Sequence, residues 1–211
     1  MSDRYKYRVE DVVGNLHSAA LPTTINRTYH EHAALRELLK LIIPEDSFTS
    51  ACELGMGFGR MTPVLTEVAH TVAGFEREPE LLKIAKALMP DVQCYEVSRL
   101  GDLPALAEHF SLVLTWTVLQ HLHDDEVVEA IKELNRVTTS TAFAILCEET
   151  APTPPPSKNK QQHVCIGRSV EEYARLLGDD WRFLHSEQRP KEATQKTPNV
   201  GTIMLFKKVP K

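Results

Sequence analysis

Three alternating glycines stand between a strand pattern and a helix pattern around residue 57. They are Gly55, Gly57 and Gly59, within the run ACELGMGFGR at 51–60. Glycine tolerates positive φ and lets a ligand lie directly against backbone N–H groups. The acidic Glu53 at the end of the strand pattern favours a ligand that carries a cation or hydroxyl groups rather than a phosphate.

Two other kinds of glycine-loop site fit the sequence less well. A phosphate-binding P-loop requires Lys and then Ser or Thr after its last glycine, whereas Arg60 and Met61 follow here. The dinucleotide fingerprint GxGxxG requires a third glycine where Arg60 stands. The pattern ExGxGxG remains, and it predicts a ligand in contact with both the loop backbone and Glu53.

A second acid follows the next strand pattern. Glu76 ends the run TVAGFE, 17 residues after Gly59. A carboxylate at the end of the second strand accepts both hydroxyl groups of a ribose in nucleotide-binding α/β proteins. Because the carboxyl ends of parallel strands meet at one edge of a sheet, the two acids and the glycine loop together predict a ligand that contains a nucleoside.

Strand and helix patterns alternate along the chain. Strands are predicted at 48–54, 71–76, 92–97, 110–116, 141–146, 181–186 and 201–207. Helices are predicted at 31–43, 60–68, 79–89, 124–137 and 169–177. Asp124 is a plausible N-cap, and Ser169 with Glu172 forms a capping-box pattern. The alternation predicts an α/β fold, with a doubly wound, mostly parallel sheet that is covered by helices on both faces.

Composition narrows the class of protein. The chain has 211 residues, of which 42% are apolar and 25% charged, with a net charge of −5. This predicts one compact domain with appendages and argues against the basic surface that nucleic-acid or membrane binding needs. The N-terminal sequence is too polar for a signal peptide, and no run reaches transmembrane length. We therefore expect a cytoplasmic protein.

The four cysteines are scattered and form no CxxC pair. We expect the cysteines that lie in apolar runs to be buried free thiols, and we expect no metal in the site. The cysteines are Cys52, Cys94, Cys147 and Cys165.

Five short motifs occur in an order that resembles the class I S-adenosylmethionine-dependent methyltransferases. The resemblance covers about residues 48–150, and the ordered set is far more specific than any one of its parts. The motifs are Glu53–Gly59, Gly74–Glu76, Leu103–Pro104, Phe110–Val113 and Val118–Leu122.

The resemblance implies a Rossmann-like sheet of seven strands with the last strand antiparallel. It also implies S-adenosylmethionine as cofactor and S-adenosylhomocysteine as product. Glu53 would lie near the amino group of the cofactor, Glu76 would hold the ribose diol, and Arg77 would border the adenine. The glycine loop would pass under the methionine portion, so its implied cofactor-binding residues are Gly55, Met56, Gly57, Gly59 and Arg60.

The chain departs from the family pattern at three places. No Asp follows the third strand to meet the adenine, so Ser98 and Arg99 are the implied substitutes there. Ser111 stands in place of the usual Asp before the fourth strand. The segment 138–141 is Thr-Thr-Ser-Thr where relatives carry Gly-Gly, so that turn must be built differently.

The end of the fourth strand is where the methyl group and its acceptor should meet. Thr115 and Trp116 would line the methionine arm and the acceptor site, although Trp116 is equally consistent with core packing. In-line displacement at the activated methyl group needs mainly proximity and orientation, and an oxygen acceptor also needs a base. The residues that we single out for catalysis are His121, Glu148 and His30, with His32 and His163 as further candidate bases.

Two segments are predicted to close over the site. Residues 1–45 would form an N-terminal helical cap in which Arg27 and Tyr29 contact the cofactor. Residues 46–211 would form the methyltransferase domain, with a lid-like loop at about 150–166 that Pro154–Pro156 stiffens.

Four functions compete at this stage. A small-molecule methyltransferase acting on O or N is preferred, as a monomer or homodimer. The net negative charge of the chain argues against an RNA or protein methyltransferase of the same fold. Residues 116–119 also argue against it, because they are Trp-Thr-Val-Leu rather than an Asn-Pro-Pro-Tyr type of motif. A non-catalytic cofactor-binding domain stays open. A nicotinamide-dependent reductase is opposed by Glu53 and Arg60.

Overall fold

The computed structural model describes residues 21–43, 47–151, 165–191 and 201–210. Strands and helices alternate through these ranges, as the sequence patterns predict. The strands are β1 Phe48–Leu54, β2 Ala69–Glu76, β3 Gln93–Glu96, β4 Phe110–Trp116, β5 Thr138–Glu148, β6 Trp181–Gln188 and β7 Thr202–Lys208. The helices are α1 Leu21–Lys40, α2 Thr62–Thr66, α3 Pro79–Leu88, α4 Asp124–Val137 and α5 Val170–Leu177, and a 3₁₀ turn spans Leu119–His121.

The seven strands form one sheet in the order β3-β2-β1-β4-β5-β7-β6. The pairs from β3 through β5 are parallel, and β7 is antiparallel to both β5 and β6. The chain order reverses between β1 and β4, and ligands bind doubly wound sheets beyond the carboxyl ends of the strands at such a point. The predicted fold class is confirmed, including its one antiparallel strand.

Helices cover both faces of the sheet. Helices α4 and α5 pack on one face through residues such as Ile131 and Tyr173. Helices α1, α2 and α3 pack on the other face, where Leu35 is one of the buried contacts. Because neighbouring strand residues point to opposite faces, Trp116 lies on the α1 face and Thr115 on the α4 face.

Helix α1 is longer than predicted, since it begins at Leu21 rather than residue 31. The apolar spacing used for the prediction is present only in its second half, where Leu35, Leu38 and Leu39 enter the core. In the first half Ile25 and Tyr29 are exposed, so hydrophobic periodicity gave no signal there. Helix α2 is shorter than the predicted 60–68, since it begins after Met61 and ends before Glu67.

Two predicted helix termini have different outcomes. The prediction of Asp124 as an N-cap is wrong: Asp124 is the first helical residue, and His123 caps α4 in a box with Glu126. The prediction for Ser169 is confirmed, since its hydroxyl accepts from the Glu172 N–H and the Glu172 carboxylate accepts from the Ser169 N–H.

The sequence departures from the family pattern have structural explanations. Thr138 replaces a glycine turn by donating from its hydroxyl to the Leu134 carbonyl at 2.9 Å, so α4 runs directly into β5. The Lys208 ammonium donates to the Asn135 and Thr138 carbonyls at the same helix end. Ser111 joins β4 to β1 by donating to the Ser50 carbonyl at 2.9 Å.

The predicted lid-like loop falls mostly outside the described residues, and so do residues 1–20 and 44–45 of the predicted cap. The described residues exclude 1–20, 44–46, 152–164, 192–200 and 211. The tri-proline segment and His163 lie in these excluded ranges, and the division at residue 45 stays a prediction. Within the described part of the chain, no helix is long and apolar enough to cross a membrane.

Replacing Ser169 by Ala should lower the free energy of unfolding by about 1 kcal/mol, because the first turn of α5 loses its capping hydrogen bond. Urea denaturation measures the change. Ser140→Ala, at an exposed position of β5, is the control and should stay within about 0.5 kcal/mol of the unmodified protein. Equal losses in the two variants would contradict the capping role.

Candidate cofactor site

The glycine loop after β1 has the backbone conformation that its sequence predicts. Gly55, Gly57 and Gly59 all have positive φ, at 67°, 59° and 83°. The N–H groups of Gly55 and Met56 donate to the Phe75 carbonyl at 2.8 and 3.0 Å. The loop is therefore tied to the end of β2, and it borders the cavity at the carboxyl edge of the sheet.

Glu76 holds the same loop from the end of β2. Its carboxylate accepts from the Gly57 N–H at 2.7 Å and from the Arg77 and Glu78 N–H groups, both at 2.8 Å. A carboxylate offers about four acceptor positions, so three backbone bonds leave capacity for a ligand hydroxyl. Glu76 thus shapes the loop and also faces the cavity.

Glu53 is buried at the end of β1 and lines the same cavity. Thr62, the first residue of α2, donates its hydroxyl to the Glu53 carboxylate at 2.5 Å. Burial raises the pKa of Glu53 from 4.5 to about 8, although the Thr62 bond and the charge of Arg60 oppose the shift. At neutral pH the carboxyl group is mostly protonated, and a cationic ligand would favour its ionised form.

A buried charge cluster connects α1 to the glycine loop. Glu31 on α1 accepts from Arg27 at 3.2 Å and from the Arg60 guanidinium, and Arg189 beyond β6 lies 3.4 Å from it. Burial alone would raise the pKa of Glu31, but the three arginines lower it below its ordinary value. His32 also contacts the Arg60 carbonyl at 2.7 Å, so α1 holds both the backbone and the guanidinium of Arg60.

Glu31 and Arg189 are functional candidates that the sequence reasoning missed. A signal for Glu31 was available, because an acid four residues before Leu35 lies on the apolar stripe of the helix. For Arg189 there was no such signal, since it follows an edge strand and meets Glu31 only through the tertiary fold.

The carboxyl edge of the sheet holds a cavity of about 720 Å³, which is a suitable volume for a nucleoside-sized cofactor and a small acceptor. Most of the predicted site residues line it, drawn from five separate segments of the chain. They are Arg27, Glu53, Gly55, Met56, Gly57, Arg60, Glu76, Arg77, Ser98, Arg99, Trp116 and His121.

Five predicted site residues do not line this cavity. Gly59 is buried, and a side chain there would collide with Met89, so its role is to let α3 pack beneath the loop. Tyr29 is 70% exposed on α1 and contacts His30 edge to face. Thr115 and Glu148 lie on the opposite face of the sheet from Trp116, by strand alternation.

Glu148 is fully buried and organises the loop after β4. It accepts from the Thr115 hydroxyl at 2.8 Å and from the N–H groups of Val118 and Gln120, at 3.0 and 3.2 Å. Burial raises the pKa of Glu148 to about 7. Between these contacts Thr117 has φ +58, which is rare for a β-branched residue, so Glu148 stabilises an unusual turn that lines the cavity.

His121 lines the cavity at the end of that turn. The Gln120 side-chain oxygen accepts from the Glu149 N–H at 2.7 Å, which leaves its amide nitrogen to donate to His121 Nε2 at 3.2 Å. This network assigns the neutral His121 proton to Nδ1. His121 is therefore the predicted catalytic residue that the fold brings to the cavity, whereas His30 and Glu148 lie elsewhere.

The sequence matches a family model described as a methyltransferase domain, over residues 52–146. This segment runs from β1 to β5 and contains the glycine loop, Glu53, Glu76 and the turn after β4. Over this segment the chain is similar to methyltransferase domains, in line with its resemblance to the class I S-adenosylmethionine-dependent methyltransferases. The prediction of S-adenosylmethionine as cofactor is confirmed.

Solved structures with the same fold cover most of this chain. A methyltransferase from Methanosarcina mazei is 14% identical, with a TM-score of 0.69 over 82% of this chain and 98% of its own. One from Mesorhizobium loti is 17% identical, with a TM-score of 0.64 over 82% and 96%. Phosphoethanolamine N-methyltransferase 1 of Haemonchus contortus, in complex with phosphoethanolamine and S-adenosylhomocysteine, is 19% identical, with a TM-score of 0.70 over 95% and 47%. No curated protein matches the chain.

Replacing Gly55 by Ala should destabilise the protein more than replacing Gly57 by Ala. Both glycines have positive φ, which costs Ala about 1–2 kcal/mol. A Cβ at Gly55 would also lie 2.7 Å from both γ carbons of Val118, whereas a Cβ at Gly57 would meet nothing within 4 Å. We expect an additional loss of about 1 kcal/mol or more for Gly55→Ala in urea denaturation. Equal losses would show that Val118 yields without cost.

Proposed function

We propose that this methyltransferase transfers the methyl group of S-adenosylmethionine to an O or N atom of a small-molecule acceptor. The observation that most directly supports this proposal is that one cavity brings together Glu53, the glycine loop, Glu76 and the turn after β4. These groups come from the ends of β1, β2 and β4, at the edge of the sheet where doubly wound folds bind ligands.

The cavity residues suit the separate parts of the cofactor. Glu53 would hold the amino group, Arg60 the carboxylate and Glu76 the ribose hydroxyls. Arg77 and Ser98, which follow the ends of β2 and β3 and line the cavity, would border the adenine. Each pairing brings opposite charges together or a donor to an acceptor, so the proposed orientation leaves the sulfur toward the end of β4.

The bound cofactor supplies a methyl group already activated by the positive sulfur, so the protein need only align the acceptor and exclude water. Trp116 and the Thr117–Val118 backbone form the wall nearest to that reaction. His121 is the proposed base for an acceptor that must lose a proton, because it lines the cavity; to take up that proton, its Nε2 would have to exchange the Gln120 amide for the acceptor.

Small-molecule specificity is supported by the shape and charge of the described surface. The cavity is concave and is lined by both acids and arginines, without the continuous basic face that an RNA substrate needs. The N-methyltransferase from Haemonchus contortus acts on a small amine in the same fold. An RNA or protein substrate is one alternative. A non-catalytic cofactor-binding role is another, and the following experiment addresses it.

The decisive experiment titrates S-adenosylhomocysteine and NADH separately into the protein by calorimetry. We expect saturable binding of S-adenosylhomocysteine and none of NADH, because Arg60 occupies the position of the third dinucleotide-loop glycine. Binding of NADH alone would overturn the proposal. Binding of S-adenosylhomocysteine without methyl transfer to any small amine or hydroxyl compound would favour the non-catalytic alternative.

Cofactor binding should release protons through Glu53. Its pKa of about 8 in the free protein means that the carboxyl group is mostly protonated at pH 7, whereas the ammonium of S-adenosylhomocysteine favours the carboxylate. The affinity should therefore rise as the pH increases from about 6 toward 8.

Calorimetry at pH 7 in phosphate and in Tris buffer measures the protons released. Glu53→Gln should remove the release and weaken binding by about tenfold or more. Glu80→Gln, an exposed acid in the first turn of α3, is the matched control. Unchanged proton release in Glu53→Gln would assign the protons to another group.

A further inference from the structure

A buried arginine supports the turn after β4 from outside the cavity. Arg168 stands two residues before α5 and is only 5% exposed, and it is not among the residues that line the cavity. Its guanidinium donates to the Leu119 carbonyl at 3.1 Å, to the Leu122 carbonyl at 2.9 Å and to the Asp124 carboxylate at 2.7 Å. His121 lies between the two residues whose carbonyls are held in this way.

The ion pair with Asp124 does not account for the burial of this charge. The Asp124 side chain is 89% exposed, and ion pairs with exposed carboxylates add little stability. Removal of a guanidinium from water is costly unless good hydrogen bonds satisfy its donors. Arg168 satisfies donors with backbone carbonyls of one short turn, and charged hydrogen bonds are stronger than neutral ones. These contacts assign Arg168 to the geometry of that turn.

Arg168 and Glu148 hold complementary backbone groups of the same turn. The Glu148 carboxylate accepts from the N–H groups of Val118 and Gln120, at 3.0 and 3.2 Å, whereas Arg168 donates to carbonyls. An anion and a cation thus fix a segment in which Thr117 has φ +58. Because such a conformation persists only where the surroundings enforce it, we expect the turn to depend on both charges.

The backbone that carries Arg168 is itself held in place. The Ile166 N–H donates to the Gln120 carbonyl at 2.7 Å, and the Arg168 N–H donates to the Glu149 carbonyl at 3.2 Å. A Cβ at Gly167 would lie 1.8 Å from a backbone carbonyl oxygen just beyond β5, so the chain passes there in close contact. The guanidinium therefore reaches the turn from a fixed support, which is also bonded to the turn directly.

Resting on the proposed function, we propose that Arg168 is a positioning residue for methyl transfer, which fixes the orientation and the tautomer of His121 at the cavity. The side-chain amide nitrogen of Gln120 donates to His121 Nε2 at 3.2 Å, and this contact places the neutral ring proton on Nδ1. Arg168 holds the backbone on both sides of this pair of residues. A base that takes a proton at Nε2 must have this tautomer.

Chemistry and cofactor binding should depend on Arg168 to different extents. The proposed cofactor contacts are the glycine loop, Glu53 and Glu76, and none of the printed hydrogen bonds of the Arg168 side chain goes to these groups. Loss of Arg168 should therefore disturb His121 while the affinity for S-adenosylhomocysteine stays within about threefold. A residue that only stabilised the whole domain would change both together.

The test uses the full-length protein with isotope-labelled histidine, saturated with S-adenosylhomocysteine. Heteronuclear NMR at about pH 8.5, above the ordinary titration range of imidazole, reports the tautomer of each neutral ring. Loss of one signal in His121→Gln identifies His121. We expect the Nδ1–H tautomer in the unmodified protein. In Arg168→Gln the ratio of this tautomer to the other should fall by about tenfold or more, the factor that corresponds to one hydrogen bond.

Two further variants separate the arginine's geometry from its charge. Arg168→Lys keeps the buried charge, but its ammonium does not reproduce the fork that reaches two carbonyls, so the tautomer ratio should lie between those of the unmodified protein and Arg168→Gln. It also serves as the deciding variant if Arg168→Gln does not fold. Arg175→Gln, at an exposed position of α5, is the matched control and should leave the ratio unchanged. Calorimetry measures the affinity for S-adenosylhomocysteine in each protein.

The outcomes distinguish this proposal from the proposed function. If S-adenosylhomocysteine does not bind the unmodified protein, the proposed function fails. If it binds and the His121 tautomer ratio is the same in the unmodified protein and in the Arg168 variants, the positioning role is overturned while the proposed function stands. Full recovery of the ratio in Arg168→Lys would assign the effect to charge and contradict the carbonyl contacts as its cause. A parallel loss of cofactor affinity in both Arg168 variants would reduce Arg168 to a structural residue.

Discussion

The carboxylate of Glu76 holds the site together through three backbone hydrogen bonds. It accepts from Gly57 in the loop after β1 and from Arg77 and Glu78 beyond its own strand, β2. Charged hydrogen bonds of this kind are stronger than neutral ones, and here they join two neighbouring strand ends. The loop N–H groups, the position of Glu53 and the wall formed by Arg77 all follow from that junction.

Three of the buried acids at this edge of the sheet are stabilised in different ways. Glu31 is surrounded by arginines, which lower its pKa despite burial. Glu53 has a single hydroxyl donor, and its pKa rises to about 8. Glu148 receives backbone and hydroxyl donors, and its pKa rises to about 7. Of these three acids, Glu53 is the one that faces the cavity, and no cation is hydrogen-bonded to it, which suits a residue that awaits a cationic ligand.

The turn after β4 connects the fold to the proposed reaction. Thr117 adopts a left-handed conformation, and Val118 consequently packs against the open side of Gly55. Such conformations persist only where the surroundings enforce them. Glu148 provides that enforcement from the far face of the sheet, so a residue outside the cavity determines where His121 and Trp116 stand within it.

The sequence by itself determined the fold class, most strand positions and the cofactor loop. Local features carry that information: the alternation of strand and helix patterns, the glycines that need positive φ, and acids at strand ends. The strands β1 and β4 and the helix α4 have the predicted bounds, because continuous apolar runs and an amphipathic repeat are strong local signals.

Only the tertiary structure decided which charged residues meet. Arg189 reaches Glu31 across more than 150 residues of chain, and no local pattern encodes that contact. The alternation of β5 placed Glu148 on the face opposite Trp116, which removed it from the cavity although its position at a strand end was predicted. Side-chain direction at a strand end and the pairing of distant charges depend on register and packing, which a one-dimensional pattern does not contain.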